Sequence, residues 1–263
     1  MVGPTERVEF VCGSRSRQEV LIALASEPRE RRAVVGSTAA SESAVYDAMN
    51  RLSDRGFCYE REDGRWALTG TGRAVADLLE RVGTVESVVE GTRPYFDEHD
   101  LGVLPEPDRR ELHRLAGCEV VDSPETDPFR AARRVRTAIA DADEVAVLAP
   151  VYDDRFADAL LEGDTDSVRL VLDPEILDLR PEDDSNADEP PPFAELVDIR
   201  VAEIAFAMTV TGSGVYLSLP QLDGTYDPQT ELVRESDAAA DWGATVFERI
   251  WERATPVEAL VED

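Results

Sequence analysis

Apolar residues between Ser14 and Ala25 fall at Val20, Leu21 and Leu24, the spacing of one helical face. Ser26-Glu27-Pro28 ends that helix, and a short second one over Glu30 to Val35 is closed by Gly36. The small residues Ser37-Thr38-Ala39-Ala40 predict a tight turn. Ser41 is a good N-cap for a third helix running to about Asp54. Val45, Ala48, Met49 and Leu52 form its inner face; Ser43, Tyr46, Asp47, Asn50 and Arg51 form its outer one. Phe57 to Arg61 reads as a strand, Glu62-Asp63-Gly64 as a hairpin turn, and Arg65 to Leu68 as the returning strand. Thr69-Gly70-Thr71-Gly72 leads into a fourth helix with Val75, Leu78, Leu79 and Val82 on one face. Three helices, a hairpin and a helix predict an α+β winged helix-turn-helix over residues 1–91.

The pattern changes after residue 91. Helices are predicted over Phe129 to Ala142, Asp154 to Glu162 and Asp237 to Ala254. Apolar strands are predicted at Val145–Ala149, Val168–Leu172, Val197–Val201, Phe206–Thr211 and Val215–Leu219. Alternating helices and continuous apolar strands predict a layered α/β domain with a partly parallel sheet over residues 92–263. Gly102 to Pro107 and the acidic, proline-rich stretch Pro181 to Pro192 read as loops. Thr211-Gly212-Ser213-Gly214, between two strands, reads as a hairpin turn and not a phosphate loop.

Charge divides the chain in the same way. The sequence holds 56 acidic and 27 basic residues, a net charge of −29, and every basic residue is arginine. Residues 1–93 carry 13 arginines against 15 carboxylates, while the remaining 170 residues carry 14 against 41. A lysine-free, acidic chain points to an archaeal, halophilic cytoplasm, where at about 1 M salt screening acts within ~3 Å and carboxylate self-repulsion largely disappears. The near-neutral first third then implies a need for arginine there, and a phosphate backbone is the natural cause.

The same positions supply the candidate chemistry. Ser41, Ser43, Tyr46, Asp47, Asn50 and Arg51 on the third helix suit base edges and phosphates, and Arg61 and Arg65 flank the hairpin turn where a wing meets the backbone. In the second domain a small ligand would sit beyond the carboxyl ends of the strands, at Tyr152 and Asp173. Cys12, Cys58 and Cys118 are widely spaced, with only His99 and His113 to assist, so reduced thiols and no metal are expected. His99, within Asp97-Glu98-His99-Asp100, reads as a solvated or capping residue.

Residues 40–57, A-S-E-S-A-V-Y-D-A-M-N-R-L-S-D-R-G-F, with 65–73, R-W-A-L-T-G-T-G-R, resemble the winged-helix domains of ArsR-like and TrmB-like archaeal regulators. The resemblance implies that Ser43, Tyr46, Asp47 and Asn50 face the groove. P-Y-F-D-E-H-D-L-G-V-L-P-E-P (94–107), L-A-G-C-E-V-V (115–121), D-P-F-R-A-A-R-R-V (127–135), V-R-L-V-L-D-P-E-I-L (168–177) and residues 236–254 resemble the effector domain of haloarchaeal FilR-type regulators.

The expected function is a sequence-specific, DNA-binding transcriptional regulator, a homodimer on double-stranded DNA controlled by a small-molecule effector. The helices at 73–90 and 237–254 both carry apolar surface for a dimer interface. A phospholipase D or nuclease type of enzyme is disfavoured because that chemistry needs a lysine beside its histidine. No G-x-S-x-G elbow or P-loop occurs, so no catalytic residue or cofactor is expected. The longest apolar runs are too short to span a bilayer, and Met1 to Phe10 has no apolar signal core, which predicts a cytoplasmic, non-membrane protein. The alternative is a protein-interaction module that uses its winged helix without DNA.

Overall fold

The computed structural model describes residues 6–151, 165, 167–177 and 197–261. It forms two compact units, residues 1–86 and 87–263. This division falls five residues before the 91/92 boundary expected from the sequence, because Val88 is buried in the core of the second unit.

The first unit opens with α1 (Glu6–Cys12), which the periodicity did not indicate, and α2 (Arg15–Ala23). A two-residue strand β1 (Arg29–Glu30) precedes α3 (Arg31–Gly36) and α4 (Glu42–Asp54). Strands β2 (Cys58–Glu60) and β3 (Arg65–Leu68) form the hairpin, and β1 adds to β3 to complete a three-stranded antiparallel sheet. The turn is closed by Gly64 at φ 75°, a left-handed conformation that favours glycine. Helix α5 (Gly70–Gly91) follows. The core joins Val20, Leu21, Val34, Val45, Met49, Leu52, Phe57 and Trp66 to Val75, Ala76 and Leu79 of α5. The other half of the predicted α5 face, Leu78 and Val82, stays exposed.

The second unit is built on an eight-stranded mixed sheet. After α6 (Arg93–Glu98) and α7 (Glu106–Arg109) come β4 (Glu119–Asp122), α8 (Arg130–Ala140), β5 (Glu144–Ala149), β6 (Ser167–Leu172) and β7 (Val197–Val201). The chain continues with β8 (Ala207–Thr211), β9 (Gly214–Ser218), β10 (Thr230–Glu235), a closing helix Asp237–Trp251 and β11 (Thr255–Pro256). The order is β11-β7-β6-β5-β8-β9-β10-β4; β5, β6 and β7 pair parallel and the rest antiparallel. Strands β8 and β9 meet at Thr211↔Gly214, so the glycine-containing segment there is a hairpin turn.

Alternation along the strands divides the core in two. Ala146, Leu148, Val215, Leu217 and Leu232 face the closing helix through Trp242, Val246, Phe247 and Trp251. Val145, Tyr216 and Val233 face Ala131, Val135 and Ile139 of α8 on the opposite side. Both faces being covered explains why β9 is buried at all five positions and reads as a continuous apolar run. The expected helix Asp154 to Glu162 and the loop Pro181 to Pro192 lie outside the described residues.

Candidate nucleic-acid interface

Helix α4 begins where its sequence says it should: the Ser41 hydroxyl accepts the Ala44 N–H at 3.4 Å. Its inner face is fully packed, which fixes the rotation of the helix and turns Ser43, Asp47, Asn50 and Arg51 outward. The approach to α4 is set by Glu19, whose carboxylate accepts Arg15 Nε at 2.8 Å and the N–H groups of Ala39 and Ala40 at 3.0 and 3.2 Å. The exit is set by Thr69, whose hydroxyl donates to the Gly56 carbonyl at 2.7 Å and accepts the Gly72 N–H at 3.0 Å. Gly72 lies so close to the hairpin that a Cβ would collide with the Phe57 carbonyl oxygen.

The outward residues are organised into local pairs. Ser41 and Ser43 hydroxyls lie 3.3 Å apart, and the Tyr46 hydroxyl donates to Glu42 at 2.7 Å. Arg51 Nε lies 2.9 Å from an Asp47 carboxylate oxygen. Asn50 is exposed. At the hairpin tip Arg65 donates to Asp63 at 2.7 Å, and Arg61 stands 3.5 Å from the same carboxylate. The arginine beside it holds Asp63 below the usual carboxylate range. Both wing arginines are exposed but oriented by Asp63, so each reaches solvent as half of an ion pair.

Sequence reasoning missed the arginines packed on aromatic rings. The Arg31 guanidinium lies 5.3 Å from the Tyr46 ring centroid and 5.0 Å from that of Trp66. Arg17 and Arg55 both approach the Phe10 ring, at 4.1 and 3.8 Å. No periodic signal marks a cation–π contact, and Phe10 lies on the helix the pattern did not show.

In the second unit, a hollow of about 350 Å³ opens beyond the carboxyl ends of β5 and β6. Pro150, Val151, Asp173, Ile204, Pro220 and Tyr226 are among the residues lining it. Asp173 is half-buried and committed locally: its carboxylate accepts the Glu175 and Ile204 N–H groups at 3.0 and 3.1 Å. Tyr152 lies outside the described residues.

His99 is not solvated, contrary to the sequence expectation: it is buried and stacked on Tyr95 with ring centroids 4.0 Å apart. Its Nδ1 lies 2.7 Å from the Tyr95 carbonyl and its Nε2 2.9 Å from Asp227 Oδ2. Both ring nitrogens therefore lie within hydrogen-bond distance of an oxygen, one from Tyr95 and one from Asp227. Burial opposes the charge on Asp227, but hydrogen bonds from Thr230, the Gln229 N–H and His99 outweigh it and hold this carboxyl below its ordinary range. Burial, reinforced by Asp227, pushes the neighbouring Glu231 up to about 8. The charged stretch 97–100 hid this site because its partner is 128 residues away.

All three cysteines are free thiols: Cys58 is buried, Cys118 half-buried and Cys12 exposed. Burial raises Cys58 to about 12, which keeps it protonated and inert. Among the described residues no group of three His, Cys, Asp or Glu is placed to hold a metal ion, and no helix is long and apolar enough to cross a membrane.

The elements define a winged helix-turn-helix unit joined in one chain to a mixed-sheet α/β unit. Residues 5–90 match the HVO_A0261 N-terminal domain, and residues 128–253 match the middle domain of methanogenesis regulatory protein FilR1. Two separate stretches of the chain are thus similar to domains of such regulators. Methanogenesis regulatory protein FilR1 of Methanothrix harundinacea (strain 6Ac) is 22% identical over 96% of the chain. The chain spans only 58% of that relative's length. Among solved structures, the archaeal chromatin protein TrmBL2 aligns over 96% of this chain and 100% of its own, at 13% identity and a TM-score of 0.39. Quinone-bound YodB from B. subtilis aligns over 32% of this chain and 93% of its own, at 14% identity and a TM-score of 0.29. Likenesses this slight leave the fold assignment to the chain's own elements.

Proposed function

We propose that this chain is a sequence-specific DNA-binding transcriptional regulator, with α4 as the helix that enters the major groove. One observation carries this reading. The outward face of α4 presents Ser43, Asp47, Asn50 and Arg51 beside a hairpin bearing Arg61 and Arg65, in a unit kept near electrical neutrality within a chain of net charge −29. Asn50 suits the paired donor and acceptor of adenine, while Ser41, Ser43 and Tyr46 lie at the entry of the helix and Arg51 at its far end. The arginine fork suits a salt-rich cytoplasm, where counterion release contributes little and short-range geometry must supply the affinity.

The active form is a homodimer, and α5 supports it better than the closing helix does. The apolar face of Asp237–Trp251 is used inside its own unit. On α5, by contrast, Leu78 and Val82 are 46% and 54% exposed and, with Val85, follow a four-then-three spacing that suits a coiled-coil seam. A small-molecule effector would occupy the hollow bordered by Val151 and Asp173, and Tyr152 follows Val151 in sequence.

The test is selection from a pool of genomic fragments in molar potassium chloride, followed by sequencing of the retained DNA. Enrichment of a short inverted repeat supports a dimeric regulator. No enrichment, with or without cell extract to supply an effector, moves the assignment to a protein-interaction module.

A further inference from the structure

In so acidic a chain, arginines are normally held by carboxylates, and the first unit follows this habit at most positions. Arg15 pairs with Glu19, Arg51 with Asp47, and Arg61 and Arg65 with Asp63. Arg17 and Arg55 do not: neither has a carboxylate within ion-pair distance among the described residues. They converge instead on one ring, Phe10, with guanidinium carbons 4.1 and 3.8 Å from its centroid. Arg17 is fixed further by a 2.8 Å bond from its Nε to the Phe10 carbonyl.

The position of this pair matters as much as its charge. Asp47, Arg51 and Arg55 follow one another at four-residue steps, so they form a stripe along the outward side of α4 and its C-cap. Arg17, from α2, lies beside that stripe. Burial, and then the charges of Arg51 and Arg55, lower it from its usual guanidinium range. A hollow of about 330 Å³ is lined by Arg51, Asp54 and Arg55. Of these like charges Arg51 has Asp47 as its partner, whereas Arg17 and Arg55 have no carboxylate within ion-pair distance among the described residues and repel until an anion arrives. A phosphodiester offers two non-bridging oxygens, the geometry the guanidinium fork matches best.

We propose that Arg17 and Arg55, held against the Phe10 ring and assisted by Arg51, form a clamp for one DNA backbone phosphate at the C-terminal end of the recognition helix. This rests on the DNA-binding reading above and adds a function for three arginines: they fix the register of α4 in the groove and read no sequence. The ring holds both side chains in place before binding, so little rotamer freedom remains to be lost on contact.

Duplex binding by the full chain tests the clamp, using the selected sequence and a scrambled one over a series of salt concentrations. Arg17→Gln with Arg55→Gln should weaken both duplexes by at least ~10-fold and equally. The slope of log affinity against log salt should fall by about 1, the change for one phosphate contact. Arg17→Lys with Arg55→Lys keeps the charges but loses the fork, and should recover the slope while recovering only part of the affinity. Thermal unfolding of each variant checks folding, and should the glutamine pair unfold, the lysine pair and Arg55→Gln alone carry the test. A wild-type chain that binds the duplex and a folded double variant with an unchanged slope would overturn the clamp alone. A wild-type chain that binds no duplex would overturn the DNA-binding reading and the clamp together. Inorganic phosphate that displaces the duplex from wild-type and Gln variant equally would also overturn it.

Discussion

The two units differ in where they keep part of their ionisable groups. In the first, guanidinium groups are left at the surface and are oriented by rings and single carboxylates: Arg31 by Tyr46 and Trp66, Arg17 and Arg55 by Phe10, Arg61 and Arg65 by Asp63. The second unit also sets Arg134, Arg169 and Arg200 over aromatic rings, but it adds ionisable groups that are taken out of water. His99 and Asp227 are both buried, and Asp108 is buried beneath a two-pronged contact from Arg249 at 3.1 and 3.2 Å. Exposed charges cost little to keep and stay available to a partner. Buried ones hold distant parts of a chain together, and they are expensive to disturb. The first unit is thus arranged to meet something, and the second to keep its own shape.

Mutating each kind of site would sharpen this contrast. The largest effect is expected from Asp227→Ala, which removes the shared buried partner of His99, Thr230 and the Gln229 N–H and should lower the stability of the second unit by about 3–5 kcal/mol, at about 1–3 kcal/mol for each group left unsatisfied. Denaturant unfolding followed separately in the two units should show the loss in the second only. A shared loss would mean that the units do not unfold as distinct bodies. Next comes Gly72→Ala, where the added Cβ must displace the Phe57 carbonyl. It should cost the first unit about 1–3 kcal/mol and, by shifting the hairpin against α5, weaken DNA binding as well.

A smaller and reversible effect is expected from pH. Glu231 ionises near 8 in the folded unit against 4.5 ordinarily, so the folded state holds the extra proton between those values. Stability from this group is complete below about 4.5 and is lost as pH rises through about 8. The Asp227 contribution has the opposite sense, being present above the ordinary carboxylate range and lost only in acid. The unfolding midpoint of the second unit should therefore fall between about pH 5 and about pH 9, and Glu231→Gln should flatten the curve. A wild-type profile already flat over that range would show that half-buried Glu231 does not set it.

The same contrast explains what was legible in the sequence. Ser41 as a cap, Asp63-Gly64 as a turn and the period of Val45, Ala48, Met49 and Leu52 are signals carried within a few residues, so α4 and its hairpin could be read directly. The strand Arg29–Glu30 could not, because two residues have no pattern and become a strand only by pairing with Arg65 and Trp66. Strands β4 and β10 were missed for a related reason: Glu119-Val120-Val121-Asp122 is short and flanked by charge, and Thr230 to Glu235 has its apolar pair Leu232-Val233 interrupted on both sides by charge. His99 was misread because its own neighbours are acidic and solvated, while its true partner lies across the fold. Arg17 and Arg55 were passed over because only the fold brings them to the same ring.

The central claim is that α4 reads DNA, and Asn50→Ala tests it most directly because Asn50 is exposed and leaves the packing of the helix untouched. In fragment selection at molar salt, the wild-type chain should enrich a short inverted repeat. Asn50→Ala should bind that repeat more weakly by about 1–3 kcal/mol while binding scrambled duplex as before. If the Asn50→Ala chain selects the same sequences with the same affinity, α4 is not the reading element and the account fails.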